Sequence, residues 1–293
     1  MIELMVLIGQ LKMIDDKRLI QSYLSEIKQQ KSASTFKTYT HGCTELLEYF
    51  ELTGKNLYFI TTQQESNKYI EYLHKRGLSE RTICNRISVL RSFLKWCIRN
   101  NYIPENNLYI KNKERNENVD YASQDEVRTL YQFCLTCDEY DDYQSVRGKT
   151  ITLFVLLFGL KAIEIINLKI RDITLSGKEL ANCSMIRFIY DVKAVPILEL
   201  YLKKRTMFLS GFDQSCDSLF VNRFGQPLSI NTVHSDFEMI RNDTGLTNVT
   251  LSALRNACID SYYKALPDKV IISRIFQITK NRIQQMQSRQ MDS

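Results

Sequence analysis

The side chains best placed to do chemistry together lie between Lys75 and Arg99, where seven basic residues accompany a single acid, Glu80. At about 100° per residue a helix brings Arg81, Arg91, Lys95 and Arg99 into one quadrant, and such a row of cations is what a phosphate backbone binds. The same row serves equally as a solvated face that keeps the chain soluble. Arg86 falls among the apolar positions of that helix, where it either snorkels or reaches a ligand. Other reactive residue types are scattered. Cys134 and Cys137 form a lone C-x-x-C inside a predicted helix with no second pair at zinc spacing, so packing is their expected role. His41, His74 and His234 have no carboxylate or cysteine cluster at ligand spacing, and neither a Gly-rich phosphate loop nor H-E-x-x-H occurs. No metal or nucleotide cofactor is implied.

The elements that must position these groups are mainly helices. The 293 residues are 44% hydrophobic and 25% charged, enough for a large core, and only 10 Gly and 4 Pro argue against a turn-rich sandwich or barrel. Ser79 can N-cap the basic helix, whose Ile83, Ile87, Leu90, Phe93, Leu94, Cys97 and Ile98 recur at helical spacing. Ile20, Tyr23, Leu24 and Ile27 form an earlier apolar stripe, and Leu46, Leu47, Phe50 and Leu52 end another. Residues 15–103 thus read as one helical domain, and the Asn-rich, aperiodic stretch 104–121 as a linker.

A second domain, 122–293, opens with Ser123 and Glu126 as a capping box on a helix that turns Leu130, Phe133 and Leu135 inward. Ile151 to Leu160 should be a buried helix, and Ser184 to Leu198, around Tyr190-Asp191, a short β-hairpin. Helix resumes over Leu198 to Met207. Ser218 to Ser229 reads as an extended piece and a Gly-containing turn before another helix.

Lys plus Arg exceed Asp plus Glu by 39 to 33, a formal charge of +6 that permits a polyanionic partner without demanding one. Eight cysteines are too sparse for a disulfide framework in so long a chain. Met1 to Ile14 is apolar but too short to span a bilayer and lacks a basic leader and a cleavage site. A soluble, reducing, cytoplasmic setting with no membrane partner is expected.

Three ordered stretches resemble the tyrosine recombinase (phage integrase) family. Phe158-Gly-Leu-Lys-Ala-Ile-Glu-Ile-Ile-Asn-Leu-Lys-Ile-Arg-Asp-Ile173 is similar to the segment G-L-R-x-x-E-x-x-x-L-x-x-x-D. Leu219 to Ser229 resembles the strand and turn before the last active-site helices, and Val249-Thr-Leu-Ser-Ala-Leu-Arg-Asn256 the H-x-L-R box. Ser32-x-x-Thr35-x-x-x-Tyr39 and Ile87 to Trp96 look like the family's core-binding domain. The resemblance spans residues 17–290. It implies a mainly α fold with a small β-hairpin or sheet, arranged as a two-domain clamp around duplex DNA.

Family chemistry needs a tyrosine nucleophile, two guanidinium groups on the nonbridging phosphate oxygens and a proton donor for the leaving sugar hydroxyl. Carried across residue by residue, Arg255 matches the second arginine and Glu164 the buried acid that supports the first. Lys161 stands where the first arginine belongs, a point charge in place of a bidentate fork. Ser252 replaces a histidine, Asn256 and Gln277 fall near two further family positions, and the hairpin lysine falls on Lys193, with Arg187 the other cation there. The nucleophile should lie near Met286, yet the last tyrosines are Tyr262 and Tyr263. Ser288 has no base beside it.

The resemblance therefore implies a DNA-binding protein that has lost strand cleavage, a nucleoid-associated pseudoenzyme of recombination or integration. Thr35, Lys37, Arg81, Arg86, Arg91, Lys95, Arg99, Lys193 and Arg255 are its expected phosphate contacts. An active divergent recombinase is the alternative, and so is a protein that partners an active recombinase. Self-association on DNA fits either arrangement.

Overall fold

The computed structural model describes residues 15–103, 119–176, 179–182, 187–190, 193–212, 216–266 and 268–291. The apolar N-terminal stretch and most of the expected linker, residues 104–118, lie outside them. The chain divides into two compact units, Met1–Glu117 and Asn118–Ser293.

The first unit is helical throughout its described residues: α1 Asp16–Gln30, α2 Ala33–Thr53, α3 Leu57–Ile60, α4 Gln63–Lys75 and α5 Glu80–Arg99. Each longer helix starts at a residue able to accept an otherwise orphaned backbone N–H. Asp15 accepts from Lys17 at 3.0 Å, Ser32 from Thr35 and Ser79 from Thr82, both at 3.3 Å. Gly54 ends α2 with φ +63°, a conformation that suits glycine. The apolar faces of α1, α2 and α5 close one core around Tyr23, whose ring lies 5.3 Å from Phe93 and 5.6 Å from Trp96. One expectation fails here, because Leu52 is 73% exposed: the buried stripe of α2 ends at Phe50, one turn before the glycine cap.

In the second unit, α6 Gln124–Leu135 begins with the expected capping box, Ser123 N–H donating to Glu126 at 2.7 Å and Glu126 N–H to Ser123 at 3.2 Å. Cys134 is buried in this unit's core and Cys137 half-buried beside it, and burial pushes both thiols up, Cys137 to about 12. Helix α7, Tyr143–Phe158, runs through the middle of the unit and is buried on nearly every side. It starts eight residues before the apolar run that announced it, because Asp142 caps it with bonds to Gln144 and Ser145 at 2.8 and 3.0 Å. The early turns carry Arg147 and Lys149 into the interior, where charge needs a partner. Arg147 pairs bidentately with Asp236 at 2.7 and 2.8 Å and donates to the Val221 carbonyl at 2.9 Å, while Lys149 meets Asp141 at 2.9 Å.

After α7 come α8 Ala162–Asn167 and a three-stranded antiparallel sheet, β1 Ile173–Ser176, β2 Glu179–Asn182 and β3 Arg187–Tyr190. The register pairs Ile173 with Asn182 and Asn182 with Arg187. This corrects the expected hairpin over 184–198, of which residues 184–186 and 191–192 lie outside the described residues. Val195 and Ile197 are buried positions of α9, Ala194–Leu209, and not a strand. Val195, Leu198 and Tyr201 share one helical face, and Pro196 is tolerated in a first turn whose N–H groups have no intrahelical partner. Residues 218–229 form the expected extended piece and turn, with Gly225 at φ +71° and Arg205 collecting the carbonyls of Cys216, Ser218 and Leu219. Ser229 then caps α10 Ile230–Asp243, followed by α11 Leu251–Ala265, α12 Lys269–Phe276 and α13 Lys280–Met291. No helix among the described residues is long and apolar enough to cross a membrane.

Removing one partner of the Arg147 and Asp236 pair leaves a buried, uncompensated charge, so Asp236→Ala should cost about 3–5 kcal/mol. Calorimetry of the full chain checks this, and a loss under 1 kcal/mol would refute the assignment.

Candidate functional site

Arg255 stands one turn into α11 and is half-buried. Its Nε donates to the Gly159 carbonyl at 3.0 Å and its Nη2 to the Phe276 carbonyl at 2.8 Å. Both acceptors end helices, Gly159 closing α7 and Phe276 closing α12, where backbone carbonyls lack intrahelical donors. One guanidinium therefore draws together the Gly159 to Lys161 turn, α11 and the Phe276 to Gln277 turn. Gly159 has to be glycine: φ is +60°, and a Cβ there would come within 2.7 Å of the Phe276 ring.

Lys161 is the N-cap residue of α8, two positions from the carbonyl that Arg255 holds. Glu164 reaches back to its backbone N–H at 2.7 Å, so the acid fixes the turn on which Lys161 sits. Ser252 is exposed in the first turn of α11, which Thr250 caps by accepting from Ala253 at 3.0 Å. Lys193 is exposed at the N-cap of α9. Lys161, Ser252 and Lys193 thus occupy helix starts, where backbone N–H groups and the helix dipole favour an anion.

The residues at candidate nucleophile positions are each engaged within the fold. Met286 is fully buried in a cluster with Ile259, Tyr263, Ile272 and Phe276. Tyr263 is buried with it, and Tyr262 donates its hydroxyl to the Leu157 carbonyl at 3.3 Å. Ser288 is exposed and donates to the Gln284 carbonyl at 3.1 Å, one turn back on its own helix. Gln277 is exposed, with φ +50° at the end of α12. The Asn256 amide donates to the Asp120 carbonyl at 2.7 Å.

The cations from Lys75, at the end of α4, to Arg99, at the end of α5, divide into those paired with a glutamate and the rest. Arg86 pairs with Glu45, both side chains nearly buried. Arg99 pairs with Glu26, a carboxylate that Trp96 Nε1 and Arg99 hold below its usual range by hydrogen bonding. Arg76 pairs with Glu48. Lys75, Arg81 and Lys95 are exposed and Arg91 is half-buried. At the start of α2, Lys37 is exposed, whereas the Thr35 hydroxyl bonds that of Ser32 at 2.9 Å and belongs to the cap. The internal partners Glu26 and Glu45 come from other helices, and neither carries a local sequence signal.

Residues 20–101 match the family profile described as "Phage integrase, N-terminal SAM-like domain", and residues 121–277 the one described as "Phage integrase family". The chain is 23% identical over 255 residues to the tyrosine recombinase XerC of Bacillus pumilus, covering 83% of this chain and 82% of that protein. It is 26% identical over 235 residues to XerC of Psychromonas ingrahamii, with 75% and 74% coverage. Among solved structures, XerH bound to a palindromic difH substrate in a post-cleavage complex superposes with TM-score 0.70 at 17% identity, covering 94% of this chain and 86% of that one. A lambda integrase dimer bound to a COC' core site gives 0.67 at 16% identity, with 96% and 80% coverage.

The two classes of cation on α5 should respond differently to truncation. Arg86→Ala leaves Glu45 nearly buried without its cation and should cost about 1–3 kcal/mol, whereas Lys95→Ala should stay within about 0.5 kcal/mol of the parent. Urea unfolding followed by the fluorescence of Trp96, the single tryptophan, measures both. Equal losses would show that the division is wrong.

Proposed function

The chain belongs to the phage integrase family, and from that membership we propose that it is a tyrosine-recombinase-like protein that holds duplex DNA without cutting it. The observation that carries this reading is the nucleophile position: the residue at the expected spacing is Met286, which is core, and the tyrosines nearest before it are Tyr262 and Tyr263. Strand cleavage by this chemistry requires a hydroxyl that can reach phosphorus and leave it covalently bound. Tyr263 is packed among apolar side chains, and the Ser288 hydroxyl donates to the Gln284 carbonyl of its own helix. Lys161 and Ser252 weaken the site further, because a point charge does not replace a bidentate fork and a serine hydroxyl does not shuttle protons near neutral pH.

Affinity in this reading comes from phosphate contacts by the outward cations of α5, from Lys37, and from Lys161, Lys193 and Arg255 in the second unit. Such a protein occupies recombination sites in the nucleoid, alone or as copies side by side on DNA, and modulates an active recombinase that shares them. Catalysis is not needed for that role.

Nicked duplex substrates that trap a phosphotyrosine or phosphoserine bond test the reading. The expected outcome is a complex in native gels that dissolves completely in denaturant. A protein-DNA band that survives denaturation would instead establish an active divergent recombinase, and mapping the linkage would identify its nucleophile. With Lys75, Arg81, Arg91 and Lys95 as phosphate contacts, log affinity should fall against log salt with a slope of about −3 or steeper. Arg91→Ala with Lys95→Ala should flatten that slope by about 2 without changing sequence preference. A flat salt dependence in the parent protein would remove the DNA-binding reading altogether.

A further inference from the structure

The residues that lead into the second unit are fastened to it at three consecutive positions. Asp120 accepts at its carbonyl from the Asn256 amide at 2.7 Å, Tyr121 lies under the Arg282 guanidinium at 5.1 Å from ring centroid to carbon, and Ala122 donates its N–H to the Ala253 carbonyl at 3.1 Å. The first and third partners are on α11, either side of Arg255. The second is on α13, the last described helix.

Arg282 is an unexpected residue for its place. Thr279 accepts from the Arg282 N–H at 3.3 Å, which puts the arginine in the first turn of α13, where the helix dipole disfavours a cation. Its charge therefore does not serve the helix it belongs to. The face of a tyrosine ring supplies the compensating attraction, and Gln285 accepts from its Nη1 at 3.4 Å. On its other side α13 is seated by Ile283 and Met286 in the cluster with Tyr263 and Phe276, and Phe276 is in turn held by Arg255. The contacts close a circuit from the lead-in segment to α11, to the end of α12, to α13 and back to Tyr121.

We propose that Arg282 and Tyr121 form a latch that couples the seating of α13 to the order of residues 119–122, so that whatever lifts α13 also loosens these first described residues of the second unit. The bonds at Asp120 and Ala122 go to α11, and they open more often once the Tyr121 contact between them gives way with α13. The coupling stands on these contacts alone and is independent of whether the protein cleaves DNA.

Hydrogen exchange on the full chain tests it, with the Ala122 amide reporting the lead-in segment and the amides of residues 283–290 reporting α13. Arg282→Ala should raise exchange at both places together, by about two- to fivefold, the factor that a cation over a tyrosine supplies. Tyr121→Leu should raise exchange in α13 by the same factor, and the double variant should add nothing further. Arg282→Lys and Tyr121→Phe, which keep a cation over a ring, should stay close to the parent, and α7 should be unchanged throughout. Faster exchange in α13 with an unaltered Ala122 amide after Arg282→Ala would overturn the proposal. So would additive effects in the double variant, or an α13 indifferent to Tyr121→Leu.

Discussion

The second unit depends on a single guanidinium that answers two helix ends at once. Carbonyls at the end of a helix must find donors, and Arg255 gives one N–H to Gly159 and another to Phe276. This demand fixes what surrounds it. Position 159 must be glycine, because the turn needs a positive φ and the Phe276 ring fills the space where a side chain would go. The turn that follows carries Lys161, held at its backbone by Glu164, and the helix end at Phe276 sets where α13 starts and hence where Met286 enters the core. A residue that reads as part of a phosphate clamp is thus also the joint between the middle and the end of the unit.

Charge is handled by the same logic elsewhere. Arg147 enters the interior and is matched atom for atom by Asp236 and the Val221 carbonyl. On α5 the nearly buried Arg86 pairs with Glu45 of α2 and the exposed Arg99 with Glu26 of α1. Arg86 and Arg99 are thus paired within the unit, whereas Arg81 and Lys95 are exposed on the same helix and Lys75 at the end of α4. These exposed cations carry their charge at little cost to folding, since solvated ion pairs and solvated cations contribute little to stability.

Much of this was legible in the sequence where the signal is local. Ser79 and Ser123 each start the helix that their side chains predict, and the stripes of α1 and α5 face the core as their spacing requires. The family membership was legible as well, through Gly159 to Asp172 and Leu251 to Asn256 in order. What failed depended on context. Val195 and Ile197 alternate like a strand but join Leu198 and Tyr201 on a helical face. Leu52 completes a periodic stripe that the core has already left. The early start of α7 was hidden because Arg147 and Lys149 look like surface residues until Asp236 and Asp141, the former 89 residues away, supply their partners. The carbonyl acceptors of Arg255 carry no side-chain signal at all, so sequence reading could place the arginine on a phosphate but not on the backbone.

The most direct test of the account is the thermal unfolding of Arg255→Lys, measured by calorimetry on the full chain. An ammonium group cannot span two carbonyls from different helix ends, and each charged bond contributes about 1.5–3 kcal/mol, so the transition of the second unit should fall by roughly 4–12 °C. Arg255→Ala should fall at least as far. A lysine variant that melts with the parent protein would contradict the account, because the two helix ends would then be held by something other than this guanidinium.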